Sequence, residues 1–390
     1  MIENKKKIKI FYWSPFISKV ATVKAVLNSA ISIQKFGQER YQTSVINSVG
    51  EWNEYENKFI ENKIGLVNFF KKNQIQNFKT KGFFYSRFLY IFIILKSFLP
   101  LLNLLKQNKG SYVIIHLLTS LPLFLNLIFK LDNKFILRIS GYPKLNLIRK
   151  FFWKIALRKI YFVTCPTEET MKNLISDKII DKNKIFLLRD PVLNIREIHS
   201  KLNLKKDEEF LNFENKKYYL AIGRLTKQKN FSFLIDCFFE IIKKDLNKVL
   251  IIIGEGEEYK MLKDKILSLN LTNNIFLLGY KNNVFDYIKK AEAFLLSSLW
   301  EDPGFVIIEA AYFGKKILSS DCRSGPKEVL QHGEAGLLFK NNSKEDFLVQ
   351  FEKLNNLNYT KLNKMKIQAK KISKNYTLFN HFKSIIKLIN

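Results

Sequence analysis

Cysteine is scarce in this chain, with three residues among 390, and histidine occurs only four times. Cys165, Cys237 and Cys322 lie far apart and form no Cys-x-x-Cys pair. This spacing excludes a disulfide framework and a cysteine-rich zinc site, and it is typical of a reducing compartment. Four histidines also leave little for a histidine-rich metal centre.

Acidic residues are in deficit, and the deficit is uneven. The chain has 65 Lys and Arg against 35 Asp and Glu, a net charge of +30. Residues 1–196 carry 33 basic and 12 acidic side chains, whereas residues 197–390 carry 32 and 23. Between residues 62 and 160 there are 18 basic side chains and one acid, Asp132. Such an excess of positive charge in the amino-terminal half predicts a polyanionic partner, either a membrane surface or a nucleic acid.

Long apolar runs are confined to residues 83–129. Residues 110–129 carry no charge for 20 positions, which is long enough to span a bilayer. The run also fits a buried strand over 112–118, followed by a helix that has Pro122 in its first turn. Residues 88–105 are interrupted by Pro100, which favours a buried or interfacial helix pair. The basic amino terminus leads into a strand without a small-residue cleavage site, so we expect a cytoplasmic protein.

Residues 147–159 predict a basic amphipathic helix with aromatic side chains. Its apolar face comprises Ile148, Phe151, Phe152 and Ile155, and the opposite side carries Lys150, Lys154 and Arg158. Such a helix suits an anionic membrane surface. The alternative is a surface helix packed on its own sheet.

Strands and helices alternate in two series along the chain. This rhythm predicts an α/β protein with two Rossmann-like, doubly wound parallel-sheet domains. The predicted domains are residues 1–199 and 218–374, with a charged linker at 200–217. A final helix at 375–390 has apolar residues at helical spacing.

Basic and glycine residues follow the first three strands of the second series. Residues 223–230 read GRLTKQKN and contain Gly223, Arg224 and Lys229 close to a helix start. Two cations there could bind a diphosphate. The alternative is that this is simply a basic surface loop without a ligand, in a protein that is basic throughout. Gly254 and Gly256 follow the next strand, where an ordinary tight turn would also explain them. Tyr280 follows the third strand, where its ring could stack on a base or simply pack.

Two glutamates eight residues apart mark the segment from 297 to 310. Glu301 is predicted in a loop after a strand, and Glu309 within the following apolar helix, which begins near Gly304 and Phe305. Carboxylates accept strong hydrogen bonds from sugar hydroxyls. A carboxylate inside an apolar helix also needs a partner, either a ligand or another side chain.

Together these motifs resemble glycosyltransferase family 4, the retaining nucleotide-sugar enzymes of GT-B fold. The resemblance rests on GRLTKQKN at 223–230, GEG at 254–256, the Glu301/Glu309 pair and SGPKEVL at 324–330. It covers about residues 218–340. The family usually reads EGFG after the first glutamate, whereas this chain reads EDPG at 301–304.

The resemblance implies roles for these residues. Arg224 and Lys229 would hold the donor diphosphate, Glu301 would contact the donor sugar, and Glu309 would hold the ribose hydroxyls. Gly223, Gly254, Gly256, Tyr280, Gly304 and Phe305 would line the donor site, and Glu301, Arg224 and Lys229 would carry catalysis. Residues 218–374 would bind the nucleotide sugar across a cleft from the acceptor domain at 1–199, and the last helix would cross back to that domain.

The resemblance also implies the substrates. The donor would be a nucleotide diphosphate sugar with uridine diphosphate as the carrier, and we expect no cofactor. No Asp-x-Asp motif is evident, so we expect no essential divalent ion. The predicted acceptor is a lipid-linked or surface glycan at the inner face of the cell membrane. A soluble acceptor is the alternative. A nucleic-acid-binding protein is suggested by charge alone, and we expect no nucleic acid partner.

The amino-terminal half offers no clear acid or base. Family members often carry a histidine at the end of a middle strand, and the corresponding segment, 137–141, has none. His116 ends a different strand, where a packed histidine is an equally good interpretation.

Overall fold

The computed structural model describes residues 7–18, 21–75, 83–143 and 146–389. The chain forms two compact units, one of Met1–Pro191 together with Leu378–Asn390, and one of Val192–Thr377. Apolar residues at helical spacing predict a first helix over residues 20–36, and its first residue, Val20, lies outside the described residues.

The first unit is built on a seven-stranded sheet. Its strands are β1 (Ile8–Trp13), β2 (Tyr41–Asn47), β3 (Gly65–Asn68), β4 (Tyr112–Ile115), β5 (Lys134–Arg138), β6 (Phe162–Cys165) and β7 (Ile185–Leu187). Their order is β3-β2-β1-β4-β5-β6-β7, and every pairing is parallel. The order reverses between β1 and β4.

Helices cover both faces of this sheet. They are α1 (Ala21–Gly37), α2 (Glu56–Glu61), α3 (Phe83–Gln107), α4 (Ser120–Phe129), α5 (Leu147–Ala156) and α6 (Glu168–Ser176). Alternate residues of β1 point to opposite faces. Ile10 and Tyr12 therefore join a core with α1 and α2, whereas Phe11 and Trp13 join a core with α3 to α6.

The apolar region from 83 to 129 differs in part from expectation. Residues 110–129 form β4 and then α4, so the interpretation as a single spanning helix is wrong. The predicted helix pair at 88–105 is also wrong, because α3 continues through Pro100 as one helix. Leu101 and Leu105 beyond the proline are buried in the sheet core, and this packing holds the second half of the helix in place. From Tyr85 to Gln107 this helix is long and apolar enough to cross a membrane, although a third of its most apolar stretch is buried within the protein.

The second unit has a six-stranded parallel sheet. Its strands are β8 (Tyr219–Ile222), β9 (Leu250–Ile253), β10 (Ile275–Leu277), β11 (Ala293–Leu296), β13 (Lys316–Ser320) and β15 (Leu337–Phe339), and a separate two-stranded ladder joins β12 (Trp300–Glu301) to β14 (Arg323–Ser324). The sheet order is β10-β9-β8-β11-β13-β15. The chain thus winds outwards from β8 in one direction and from β11 in the other. The prediction of two doubly wound parallel sheets is confirmed.

The helices of the second unit alternate with these strands. They are α7 (Ile195–Leu202), α8 (Glu208–Leu211), α9 (Phe231–Lys244), α10 (Tyr259–Ser268), α11 (Phe285–Lys290), α12 (Phe305–Tyr312), α13 (Gly325–Val329), α14 (Lys344–Asn355) and α15 (Tyr359–Ser373). Residues 200–217, predicted as a linker, lie within this unit and include α8. Phe210 and Phe213 anchor them in its core, and Lys281 bonds Asp207 at 2.8 Å. Because most residues of this segment are charged or polar, the sequence did not indicate that Phe210 and Phe213 are buried.

The last helix, α16 (Leu378–Ile389), belongs to the first unit and packs against α1. Leu378, Ile385 and Ile389 enter the core that α1 shares with β1 and β2. The Ser32 hydroxyl donates to the Leu378 carbonyl at 2.6 Å, and the Tyr112 hydroxyl donates to the Ile389 carbonyl at 2.9 Å. Both ends of α16 are therefore tied to the first sheet and its helix.

Candidate active site

The loops that follow β8, β9 and β10 pack closely at the carboxyl edge of the second sheet. A Cβ atom added to Gly254 would lie 1.8 Å from the carbonyl oxygen of Gly223, and one on Gly256 would lie 2.2 Å from that of Leu225. The Gly254 amide donates to the Gly279 carbonyl at 2.8 Å. These glycines are needed because only a residue without a side chain allows the backbones to approach so closely. The Gly223 and Gly254/Gly256 motifs therefore belong to one surface.

A partly buried lysine, Lys229, and a buried glutamate, Glu301, form an ion pair at this edge. Lys229 lies in the loop after β8, and its Nζ atom donates to Oε1 of Glu301, which lies in the loop region after β11. Glu301 is only 6% exposed, and its Oε1 also accepts from the Ser298 hydroxyl at 2.6 Å. Because β8 and β11 are the neighbours between which the strand order reverses, the pair sits where doubly wound sheets bind their ligands.

Further hydrogen bonds hold the two loops together. The Leu299 amide donates to the Gln228 carbonyl at 2.8 Å, and the Gln228 side chain donates to the Trp300 carbonyl at 2.9 Å. The Ser297 hydroxyl donates to the Lys229 carbonyl at 2.8 Å. The position of the ion pair is thus set by backbone contacts on both sides.

The Lys229–Glu301 pair predicts a large effect on stability. We expect Lys229→Ala to lower the free energy of unfolding by about 3 kcal/mol, because it leaves a buried carboxylate without its cation. The double variant Lys229→Ala/Glu301→Gln should recover about half of that loss, since the remaining group is neutral. Denaturant unfolding of both variants measures the difference.

Lys227→Ala is the matched control, because Lys227 lies in the same loop and is exposed. It should change the free energy of unfolding by less than about 0.5 kcal/mol. A double variant no more stable than Lys229→Ala would contradict the assignment of the cost to an unpaired Glu301.

Glu301 is linked to Glu309 through the start of α12. Gly304 adopts a φ of 88° just before this helix, and its Cα faces the Glu301 side chain, since an added Cβ would lie 3.4 Å from Cγ of Glu301. Phe305 begins the helix, and Glu309 is buried within it at 5% exposure. A carboxylate kept out of water in this way forms strong bonds to a hydroxyl group.

The other residues predicted for the site lie around the same edge. Arg224 is exposed in the loop between β8 and α9, and Tyr280 is exposed in the loop after β10. The N-terminus of α9 begins immediately after Lys229 and Asn230. Free amides at a helix start and nearby cations can hold a phosphate group.

The sequence interpretation assigned no role to Ser298, which lies three residues before Glu301 and donates a hydrogen bond to it. The ladder of β12 and β14 pairs Glu301 with Ser324, so the SGPKEVL segment lies beside the first glutamate. A Cβ atom on Gly325 would lie 1.9 Å from the carbonyl oxygen of Pro303, which explains the glycine in that motif. Burial raises the pKa of the nearby Cys322 thiol to about 12, so this thiol stays neutral.

In the first unit, His116 lies at the reversal point of the strand order. Its amide donates to the Trp13 carbonyl at 2.9 Å, which ties the loop after β4 to the end of β1. Its ring is buried, and Nδ1 has no hydrogen-bond partner among the described residues. Burial lowers the pKa of His116 well below its usual value, so the ring is neutral.

Comparison with known proteins agrees with this arrangement. Residues 203–372 match the family described as glycosyl transferases group 1. An uncharacterised glycosyltransferase of Methanocaldococcus jannaschii is 30% identical over 359 residues, which cover 84% of this chain and 84% of that protein. The UDP-Gal:alpha-D-GlcNAc-diphosphoundecaprenol alpha-1,3-galactosyltransferase of Escherichia coli is 26% identical over 65% of this chain and 68% of its own length.

A solved structure extends the comparison to the whole fold. Anabaena HepE, in complex with UDP and glucose, is similar with a TM-score of 0.73 over 98% of this chain and 99% of its own, at 15% identity. At that identity the similarity concerns the fold, which is GT-B. The family predicted from the sequence is confirmed. The chain belongs to the group 1 glycosyl transferases, glycosyltransferase family 4, and is an enzyme that transfers sugars from nucleotide sugars.

Proposed function

We propose that this enzyme moves a hexose or an N-acetylhexosamine from a uridine diphosphate sugar to a lipid-linked or surface-polysaccharide acceptor, with retention of configuration. The transfer takes place at the inner face of the cell membrane. The observation that carries the proposal is the Lys229–Glu301 pair at the switch point of the second sheet. Arg224 is exposed in the same loop as Lys229, and α9 starts at the end of that loop. The comparison with HepE, which binds UDP and glucose, supports the choice of donor.

In this proposal the two cations act on the diphosphate. Arg224 and Lys229 neutralise charge that grows on the leaving phosphate as the glycosidic bond breaks. In the structure, Lys229 has a carboxylate partner in Glu301. Glu301 therefore holds Lys229 in place, and its carboxylate accepts a hydrogen bond from a hydroxyl of the sugar ring when the donor is bound.

The chemical step needs no separate protein base. The bond between the anomeric carbon and the diphosphate oxygen breaks, and the acceptor oxygen bonds to the same face of that carbon. The acceptor proton passes to the departing phosphate oxygen, so protons and charge balance. The protein contributes electrostatic stabilisation of the transition state. The loss of one such contact typically raises the activation free energy by about 3 kcal/mol.

The proposed acceptor and location rest on charge and on a relative. The E. coli relative transfers galactose to alpha-D-GlcNAc-diphosphoundecaprenol. Residues 1–196 carry 33 basic and 12 acidic side chains, an excess that suits an anionic bilayer surface. A lipid-linked acceptor would be held at that surface.

The two glutamates are expected to differ in what they affect. Glu309→Gln should weaken UDP binding about tenfold, because a charge-assisted bond to a ribose hydroxyl is lost. Glu301→Gln should leave UDP affinity nearly unchanged but slow the chemical step about 100-fold, because UDP lacks the sugar that Glu301 contacts. Calorimetry with UDP measures the first effect. Slow release of UDP from a UDP-sugar, which needs no acceptor, measures the second.

Glu257→Gln is the matched control, since Glu257 is exposed in the loop after β9. Both measurements should match the wild type in that variant. Equal UDP affinity of wild type and Glu309→Gln would contradict the ribose role. Wild-type turnover in Glu301→Gln would contradict the sugar role.

A further inference from the structure

The apolar face of α5 points away from the protein. Ile148 is 81% exposed and Phe151 69% exposed, whereas Trp153 and Ala156 on the other side of the helix are buried in the sheet core. The helix therefore packs on its sheet through one side and presents a second apolar side to the outside. Of the face formed by Ile148, Phe151, Phe152 and Ile155, only Phe152 joins the core in part, and the other three side chains are exposed.

A stripe on α3 shows the same feature. Five large side chains spaced three or four residues apart are exposed, namely Tyr85, Phe88, Ile91, Leu95 and Leu99. The opposite side of α3 is packed against the first unit through residues that include Leu89, Ile93, Leu101 and Leu105. Because one side is held in the core, α3 lies along the surface of the unit and cannot cross a bilayer without leaving it.

Helix α4 lies against both of the helices that carry these exposed apolar sides, α3 and α5. The rings of Phe98 and Phe129 lie 6.3 Å apart. Phe124, Ile128 and Phe129 are exposed on it. We use the name three-helix face for the exposed apolar side chains of α3, α4 and α5. This face holds twelve of the 27 large exposed hydrophobic residues among the described part of the chain. Exposed apolar area on this scale marks an interaction surface.

Basic side chains lie along and beside the three-helix face. The Lys96 ammonium lies 5.7 Å from the Phe92 ring centre, and that of Lys106 lies 5.3 Å from the Phe129 ring centre. Lys154 is exposed on α5 and Lys150 partly so. The only acid in the sequence from 62 to 160 is Asp132, which lies 3.9 Å from Lys109. A second copy of the chain would bring an equally positive surface against this one, so charge disfavours self-association and favours an anionic partner.

We propose that the three-helix face inserts into the outer part of an anionic lipid bilayer, with its basic side chains at the phosphate headgroups. The inference rests on the membrane location proposed above and assigns the surface that makes the contact. Lysine stems can lie along apolar surface while their ammonium groups reach the headgroups. Two attractions then act together, an electrostatic one that salt weakens and an apolar one that salt leaves in place.

The test is co-sedimentation with phosphatidylcholine vesicles, with and without phosphatidylglycerol, between about 0.1 M and about 1 M salt. Wild type should bind the anionic vesicles and retain part of that binding at high salt. Ile148→Glu/Phe151→Glu and Leu95→Glu/Leu99→Glu should each reduce the partition coefficient at least about tenfold and remove the salt-resistant part.

The control is Leu246→Glu/Leu267→Glu, which adds the same charge at exposed apolar positions of the second unit. Its partition coefficient should be within about twofold of that of wild type, because the substituted leucines do not belong to the three-helix face. An equal loss in this control, or no binding of wild type to either vesicle, would overturn the proposal. Loss of a dimer in Leu95→Glu/Leu99→Glu, seen by light scattering, would assign α3 to a second copy instead.

The vesicle result and the donor-site result are separable. UDP affinity measured by calorimetry should be the same in wild type and in all the surface variants, because the three-helix face lies in the first unit and the proposed donor residues lie in the second. Failure of UDP binding in every protein, with vesicle binding intact, would refute the donor proposal and leave the three-helix face standing. Vesicle binding that fails while UDP still binds would do the reverse.

Discussion

Arg224→Ala is expected to lower kcat/KM by about 100- to 1,000-fold while the free energy of unfolding stays within about 0.5 kcal/mol of wild type. The physical reason is that Arg224 is exposed in the loop between β8 and α9, so little packing is lost with it. In the proposed mechanism its charge is needed only when the diphosphate leaves. Release of UDP from a UDP-sugar measures the rate, and denaturant unfolding measures the stability.

Two variants make this expectation specific. Arg224→Lys keeps the charge but loses the planar fork that binds two phosphate oxygens at once, so it should recover only part of the rate. Lys227→Ala removes an exposed charge from the same loop and should retain nearly full activity. A rate for Arg224→Ala close to that of wild type would refute the diphosphate role. An equal loss of rate in Lys227→Ala would show that any positive charge in this loop has the same effect.

Removal of α16 is expected to unfold the first unit. A chain that ends at Lys374 loses Leu378, Ile385 and Ile389 from the core shared with α1. Each buried aliphatic side chain contributes about 2 kcal/mol, and a whole domain is stable by only about 5–15 kcal/mol. The truncation also leaves the Ser29 hydroxyl without its 2.8 Å bond to His381. Limited proteolysis and calorimetry of the truncated chain measure the loss.

A point variant keeps this expectation testable if the truncated chain does not express. Ile385→Ala should lower the free energy of unfolding by about 2–4 kcal/mol, because Ile385 is fully buried and leaves a cavity. Ser384→Ala, at the exposed neighbouring position, should change it by less than about 0.5 kcal/mol. An intact unfolding transition in the truncated chain would show that α16 is not part of the folded first unit.

Secondary structure could be predicted where the local pattern was strong. Most strands of both sheets are short apolar runs bounded by turn residues, and these runs appear in the structure close to where they were predicted. By contrast, two short edge strands were not predicted. They are β3 (Gly65–Asn68), which lies in a polar stretch and pairs with β2, and β15 (Leu337–Phe339), which pairs with β13. The same limit applies to 200–217, where charged residues surround the buried Phe210 and Phe213.

The family and its sugar-transfer chemistry were readable from the sequence because the informative residues are close together along the chain. The motif at 223–230 is the connection between β8 and α9, and the motif at 301–309 runs from β12 into α12, so the spacing within each follows from local geometry. A loop after a parallel strand always opens at the same edge of the sheet, which made that edge the place to look.

Only the tertiary structure decided which groups meet and which faces remain open. Lys229 and Glu301 are 72 residues apart, and they pair because β8 and β11 become neighbours where the strand order reverses. Helix α5 has apolar residues on more than one side, so its periodicity alone could not say which side packs on the sheet. Trp153 and Ala156 fill the space above the sheet, and Ile148 and Phe151 are left outside. Sequence spacing reports what lies near along the chain, whereas contact and exposure depend on how distant segments pack.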